Sequence, residues 1–100
     1  MSLIDYLDDE KIDFVEEIVS QWIIRIGDQK INIRITKDAH GYFQFVTSHY
    51  YHGSEQAGPY IASAANFTSE KEAIIYARRQ VVSFYDPADK NAVWVENTLF

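Results

Sequence analysis

Two histidines three positions apart, His49 and His52, are of a type that could hold a metal ion or move a proton. On one turn of a helix, an H-x-x-H spacing brings two imidazoles together. Here the preceding run, Tyr42 to Tyr51, reads as a strand, so His49 falls at a strand end and His52 at the start of a loop. A zinc site needs three or four ligands. The remaining histidine, His40, lies at the other end of that strand, about 30 Å away at the rise of an extended chain. Ser48 and Ser54 are candidate nucleophiles, yet the chain has no G-x-S-x-G elbow and no aspartate with a legible orienting role. It has no phosphate-binding glycine loop, no G-x-G-x-x-G and no EF-hand loop. With no cysteine there is no disulfide and no thiolate chemistry. No metal and no cofactor is therefore expected. One chemical reading stays open as an alternative: a small-ligand or catalytic pocket between residues 49–58 and the sheet, built from His49, His52, Tyr50 and Tyr51.

Charge narrows the partners. Nine Lys and Arg stand against fifteen Asp and Glu, a net charge of −6 over 100 residues. Residues 1–20 hold seven of the acids (Asp5, Asp8, Asp9, Glu10, Asp13, Glu16, Glu17) and one base, Lys11, so the rest of the chain is neutral. Phosphate backbones and anionic lipids are recognised mainly through cations. Nucleic acid and membrane surfaces are thus not expected partners. A basic patch of Arg25, Lys30, Arg34 and Lys37 supports a second alternative, RNA binding through one sheet face. The order helix, strands, helix resembles double-stranded RNA-binding domains. Their basic cluster at the start of the last helix is missing here, where the sequence reads Ser69-Glu70-Lys71-Glu72-Ala73. No basic, apolar leader precedes the acidic segment, so a cytoplasmic location is expected.

The elements follow from periodicity. Ile12, Val15, Ile18 and Val19 share a helical face, and with Asp8 or Asp9 as cap they predict a helix within residues 3–20. From Trp22 the period becomes two. Trp22–Ile26, Lys30–Thr36, Tyr42–Tyr51 and Pro59–Ala65 read as four strands. Lys30–Thr36 alternates most cleanly, with Ile31, Ile33 and Ile35 toward a core and Lys30, Asn32, Arg34 and Thr36 toward water. Turns fall at Gly27-Asp28-Gln29 and at Asp38–Gly41. Ser69-x-x-Glu72 opens a second helix, whose apolar stripe runs through Ala73, Ile74, Ala77, Val81 and Phe84, and Asp86-Pro87 closes it. Val93-Trp94-Val95 reads as a short strand or an extended arm. The fold expected is a single α+β domain over residues 1–100. It is a two-layer sandwich, with a four-stranded antiparallel meander carrying an N-terminal and a C-terminal helix on one face.

Asp38-Ala39-His40-Gly41-Tyr42-Phe43, followed by Ser69-Glu70-Lys71-Glu72-Ala73, resembles HicB-type antitoxin domains. Those also use a strand, a Gly turn, a second strand and a helix opened by an S/T-x-E-E-A motif. The resemblance covers about a third of the chain and consists of hairpin and capping chemistry. It implies an order of elements, and no function is carried over from it.

The aromatic residues are 15% of the chain. Tyr42, Tyr50, Tyr51, Tyr60, Trp94 and Phe100 exceed what a small core obviously needs, and Tyr and Trp favour interfaces. They define the principal expectation: a non-catalytic interaction or regulatory module. It would be a homodimer or would take a protein partner, through the second sheet face or the arm Val93–Phe100.

Overall fold

Strand β1, Glu16–Ile26, and strand β2, Gln29–Asp38, form an antiparallel hairpin closed by the two residues Gly27 and Asp28. Gly27 has φ of +59° and Asp28 does not share the positive φ, as in a type II′ turn with glycine first. Strand β3, Phe43–Thr47, pairs with the other side of β2. This gives a three-stranded sheet in the order β1-β2-β3. Strand β4, His49–His52, continues β3 after Ser48 and pairs with β5, Val93–Glu96, as a separate two-stranded sheet. The single α-helix among the described residues, α1, is Glu70–Val82. The computed structural model describes residues 3–63 and 65–100.

Ser48 explains the division into two sheets. Its N–H donates to the Asn32 carbonyl at 2.9 Å, and its carbonyl accepts the Asn97 N–H at 2.7 Å. Both groups of one residue point to the same edge of a strand. That edge is therefore shared, with β2 along its first half and β5 along its second. The opposite edge carries the segment after Pro59 by isolated contacts: Tyr60 N–H to the Tyr51 carbonyl at 2.9 Å, and a bridge between Phe43 and Phe67.

The α+β class holds, but three details of the expected architecture do not. Residues 3–20 form no α-helix. Leu3–Leu7 is a single 3-10 turn, and Glu16–Ser20 belong to β1. Ile12, Val15, Ile18 and Val19 fit a helical face by spacing, but all four are β-branched, and that composition favours a pleated strand. The four-stranded meander is also absent. The expected strand over residues 59–65 makes no ladder among the described residues, and Ala64 lies outside them. The partner that β4 does gain, β5, lies on the other edge, the one that β2 vacates at the hairpin tip.

One helix therefore does the covering that two were expected to do. Ser69 Oγ accepts the Glu72 N–H at 3.1 Å, as its capping position requires. The Glu72 carboxylate takes the Thr68 hydroxyl at 3.2 Å. Ala73 and Ala77 are fully buried, and their small side chains let the helix approach Ile33, Ile35 and Phe67 closely. Phe43, Phe45 and Ile74 close the rim of that core. Below it, the Gln80 amide donates to Thr47 Oγ1 at 2.8 Å and accepts the Ala62 N–H at 2.9 Å, so this buried amide uses both ends. Phe84 falls beyond the helix end and is half exposed, stacked edge-on against Tyr60. No helix among the described residues is long and apolar enough to cross a membrane, which says nothing of a β-barrel.

Candidate functional site

His49 and His52 occupy the two ends of β4, three residues apart, so strand alternation sends them to opposite faces. His52 Nε2 meets the Gln56 carbonyl at 2.9 Å. His49 Nδ1 lies 2.8 Å from Ser48 Oγ, and its Nε2 lies 3.3 Å from Gln29 Nε2. Gln29 Nε2 also donates to the Lys30 carbonyl at 2.8 Å, which fixes the amide orientation. The amide N–H therefore donates to His49 Nε2, and the ring proton sits on Nδ1, donated to Ser48 Oγ. Ser48 Oγ also accepts the Asn32 N–H at 2.8 Å. A serine oxygen that accepts from its histidine is not being deprotonated by it. This is the reverse of a nucleophile–base pair. Its work is to splice β2 to the start of β4.

The neighbouring tyrosines diverge likewise. Tyr50 lines a cavity of about 150 Å³ with Gln44, Phe45, Thr47, Phe67 and Gln80. Tyr51 points the other way and is 3% exposed, packed edge-on against Trp94 and Tyr85 at 5.0 and 5.5 Å. His49, His52, Tyr50 and Tyr51 thus do not line one pocket. Among the described residues, no group of three His, Asp or Glu is placed to hold a metal ion.

Residues Gly53–Gly58 are held down by a carboxylate. Asp89 Oδ2 accepts both the N–H and the hydroxyl of Ser54, each at 2.9 Å. These donors, joined by the N–H groups of Asn91 and Ala92, hold the Asp89 carboxyl below its usual range against the opposing effect of desolvation. A depressed folded-state pKa adds stability that is present above the ordinary carboxylate pKa and lost as pH falls through the folded value. Ser54→Ala should therefore raise the pKa of Asp89 toward that of a free aspartate. Carboxyl chemical shifts followed through an acid titration would register the change.

Three of the four cations of the RNA-binding alternative share one sheet face, and Lys37 does not. Arg25 and Lys30 are cross-strand partners on the face away from α1. Arg34 lies on that face too, but its guanidinium covers the Phe100 ring at 4.1 Å, donates to the Phe100 carbonyl at 3.0 Å and reaches Gln21 Oε1 at 3.4 Å. Lys37 shares the parity of Ile35 and sits on the helix side, 5.4 Å from the centre of the Phe43 ring.

The candidate interface rings disperse. Tyr51 is buried, Trp94 is half-buried against it, and Phe100 is covered by Arg34. Tyr50 faces the small cavity, and Tyr42 remains 42% exposed at the β2–β3 turn. The arm Val93–Phe100 folds back on its own chain, with Asn97 bonded to the carbonyls of Thr47 and Ser48.

The largest apolar exposure lies elsewhere, in the first quarter of the chain. Leu3, Tyr6, Leu7, Ile12 and Phe14 are exposed, and β1 adds Ile18 at 60%, Trp22 at 51% and Ile23 at 66%. Among the described residues, strand β1 has a neighbour on one side only. From Ile18 to Ile24 it carries no charge, no proline and no glycine. Such an edge is the kind that proteins normally blunt. The absence of an N-terminal helix is what leaves it bare: Trp22 lies opposite Ile33 on the helix side, yet α1 reaches only β2, β3 and β4 appreciably. The signal in the sequence was the β-branched pair Ile18-Val19, separated by only two residues from the strand Trp22–Ile26. Comparison of this chain with family models, curated proteins and solved structures finds no match.

Proposed function

We propose that this chain is a non-catalytic protein-interaction module that associates with a second copy of itself. The observation that carries the reading is the open edge of β1, uncharged from Ile18 to Ile24, with Ile18, Trp22 and Ile23 exposed along it. Burying such side chains against a partner gains about 25 cal/mol for each Å² of apolar surface removed from water. Main-chain groups on an open edge offer hydrogen bonds in addition. Tyr51, Trp94 and Phe100 are engaged within the chain, which favours the N-terminal hairpin over the C-terminal arm as the surface. The histidines of the alternative pocket and the candidate nucleophiles Ser48 and Ser54 have structural partners, which favours a binding role over a catalytic one. Sedimentation velocity over roughly 1–100 µM, the range of ordinary reversible association, should show a mass that rises from one chain to two. A single-chain mass at every concentration would contradict the reading.

A further inference from the structure

We infer that the second copy adds antiparallel to β1 about a two-fold axis at Gln21, joining two three-stranded sheets into one of six strands. This rests on the self-association proposed above and specifies its geometry. The backbone of Asn32 fixes which residues face the open edge. Asn32 directs its carbonyl and N–H to Ser48, on the β3 side. Its β1 partner Ile23 therefore directs its own groups the opposite way, out of the sheet. The same parity on β2 marks Lys30, Arg34, Thr36 and Asp38, whose β1 partners are Arg25, Gln21, Ile18 and Glu16. Those five β1 residues present both the free backbone groups and the side chains of the face away from α1.

Strand β2 serves as a ruler, because the bulge at Val19 makes sequence numbers on β1 misleading. Gln21 stands at Arg34, with Glu16 four steps one way at Asp38 and Arg25 four steps the other way at Lys30. Ile18 and Ile23 stand two steps to either side, at Thr36 and Asn32. The set is thus symmetric about Gln21. A two-fold axis there sets Glu16 against Arg25 of the second copy, Ile18 against Ile23, and Gln21 against itself, and then repeats the matches in reverse. An axis at Ile23 would instead set Arg25 against Gln21 and leave Glu16 beyond the pairing. On the helix side, Ser20 meets Trp22, and Glu17, which lies opposite Lys37 in its own sheet, meets Ile24.

Charge argues for the same arrangement. Each copy brings an acidic segment before β1, and antiparallel pairing puts the two segments at opposite ends of an 11-residue strand, about 35 Å apart. That exceeds the screening length of about 8–10 Å at physiological salt.

The native chain has no cysteine, so single substitutions report cleanly. Gln21→Cys should form an intermolecular disulfide on mild oxidation, because residues opposed across a hydrogen-bonded antiparallel pair lie about 5.5 Å apart at Cα, within disulfide reach. Asp28→Cys, at the exposed hairpin tip, should not. Arg25→Glu should weaken association about tenfold, and adding Glu16→Arg should restore it. A dimer that fails to cross-link at position 21 and ignores the charge exchange would overturn this pairing and leave self-association standing. A chain that stays monomeric throughout would overturn both.

Discussion

Ile35→Ala should destabilise the chain by about 2–5 kcal/mol, the range for truncating a fully buried isoleucine. Ile35 is fully buried between Phe45 on β3, Ser20 on β1 and the alanine face of α1. The loss leaves a cavity where Ala73 and Ala77 already sit close and α1 cannot settle further. Against a total of about 5–15 kcal/mol for a domain of this kind, this is a large fraction. Ile23→Ala removes the same atoms from the same kind of strand, but Ile23 is 66% exposed. In the monomer it should cost under about 0.5 kcal/mol, the usual scale for surface changes. Thermal unfolding of dilute protein, where association contributes nothing, should separate the two variants by roughly 10 °C or more at the midpoint. Equal midpoints would mean that the core is not built around β2 and α1.

The second large effect is on assembly. Ile18→Lys combined with Ile23→Lys should weaken self-association at least about a hundredfold, equivalent to about 2.8 kcal/mol. In the proposed pairing each lysine meets the other substituted position on the second copy, so an apolar contact becomes a like-charge contact twice per dimer. Both side chains point away from the core, and the unfolding midpoint of the dilute double variant should match that of the parent chain. Sedimentation of the two proteins at one high concentration decides the matter. A lysine double variant that still dimerises as the parent does would remove β1 from the interface.

Legibility of the fold depended on whether the pattern was local. The clean alternation of Lys30–Thr36 and the Ser69 cap each identify an element from a few neighbouring residues, and both elements are present. The N-terminal helix failed because spacing at Ile12, Val15, Ile18 and Val19 satisfies a helix, whereas their β-branching and their continuity with Trp22–Ile26 favour a strand that extends the hairpin. The fork at Ser48 was not legible at all. It depends on Asn32 and Asn97 converging on one residue from far apart in sequence, and no local period encodes that. The candidate site suffered most from this. Tyr51, Trp94 and Phe100 look surplus when counted as core residues of a single sheet. A second sheet, the Tyr85 ring and the Arg34 guanidinium give each of them a place within the chain. The edge that stays bare became visible only once β1 replaced the helix expected to cover it.

The central claim is that the open side of β1 is closed by another copy of the chain. Amide hydrogen exchange, read residue by residue at low and high protein concentration, addresses it most directly. The N–H groups of Ile18, Gln21, Ile23 and Arg25 should exchange as exposed amides in dilute solution and become protected together as concentration rises, while those of Ile33 and Ile35 stay slow at both. If these edge amides exchange equally fast at every concentration, the edge is not where copies meet, and the account is wrong.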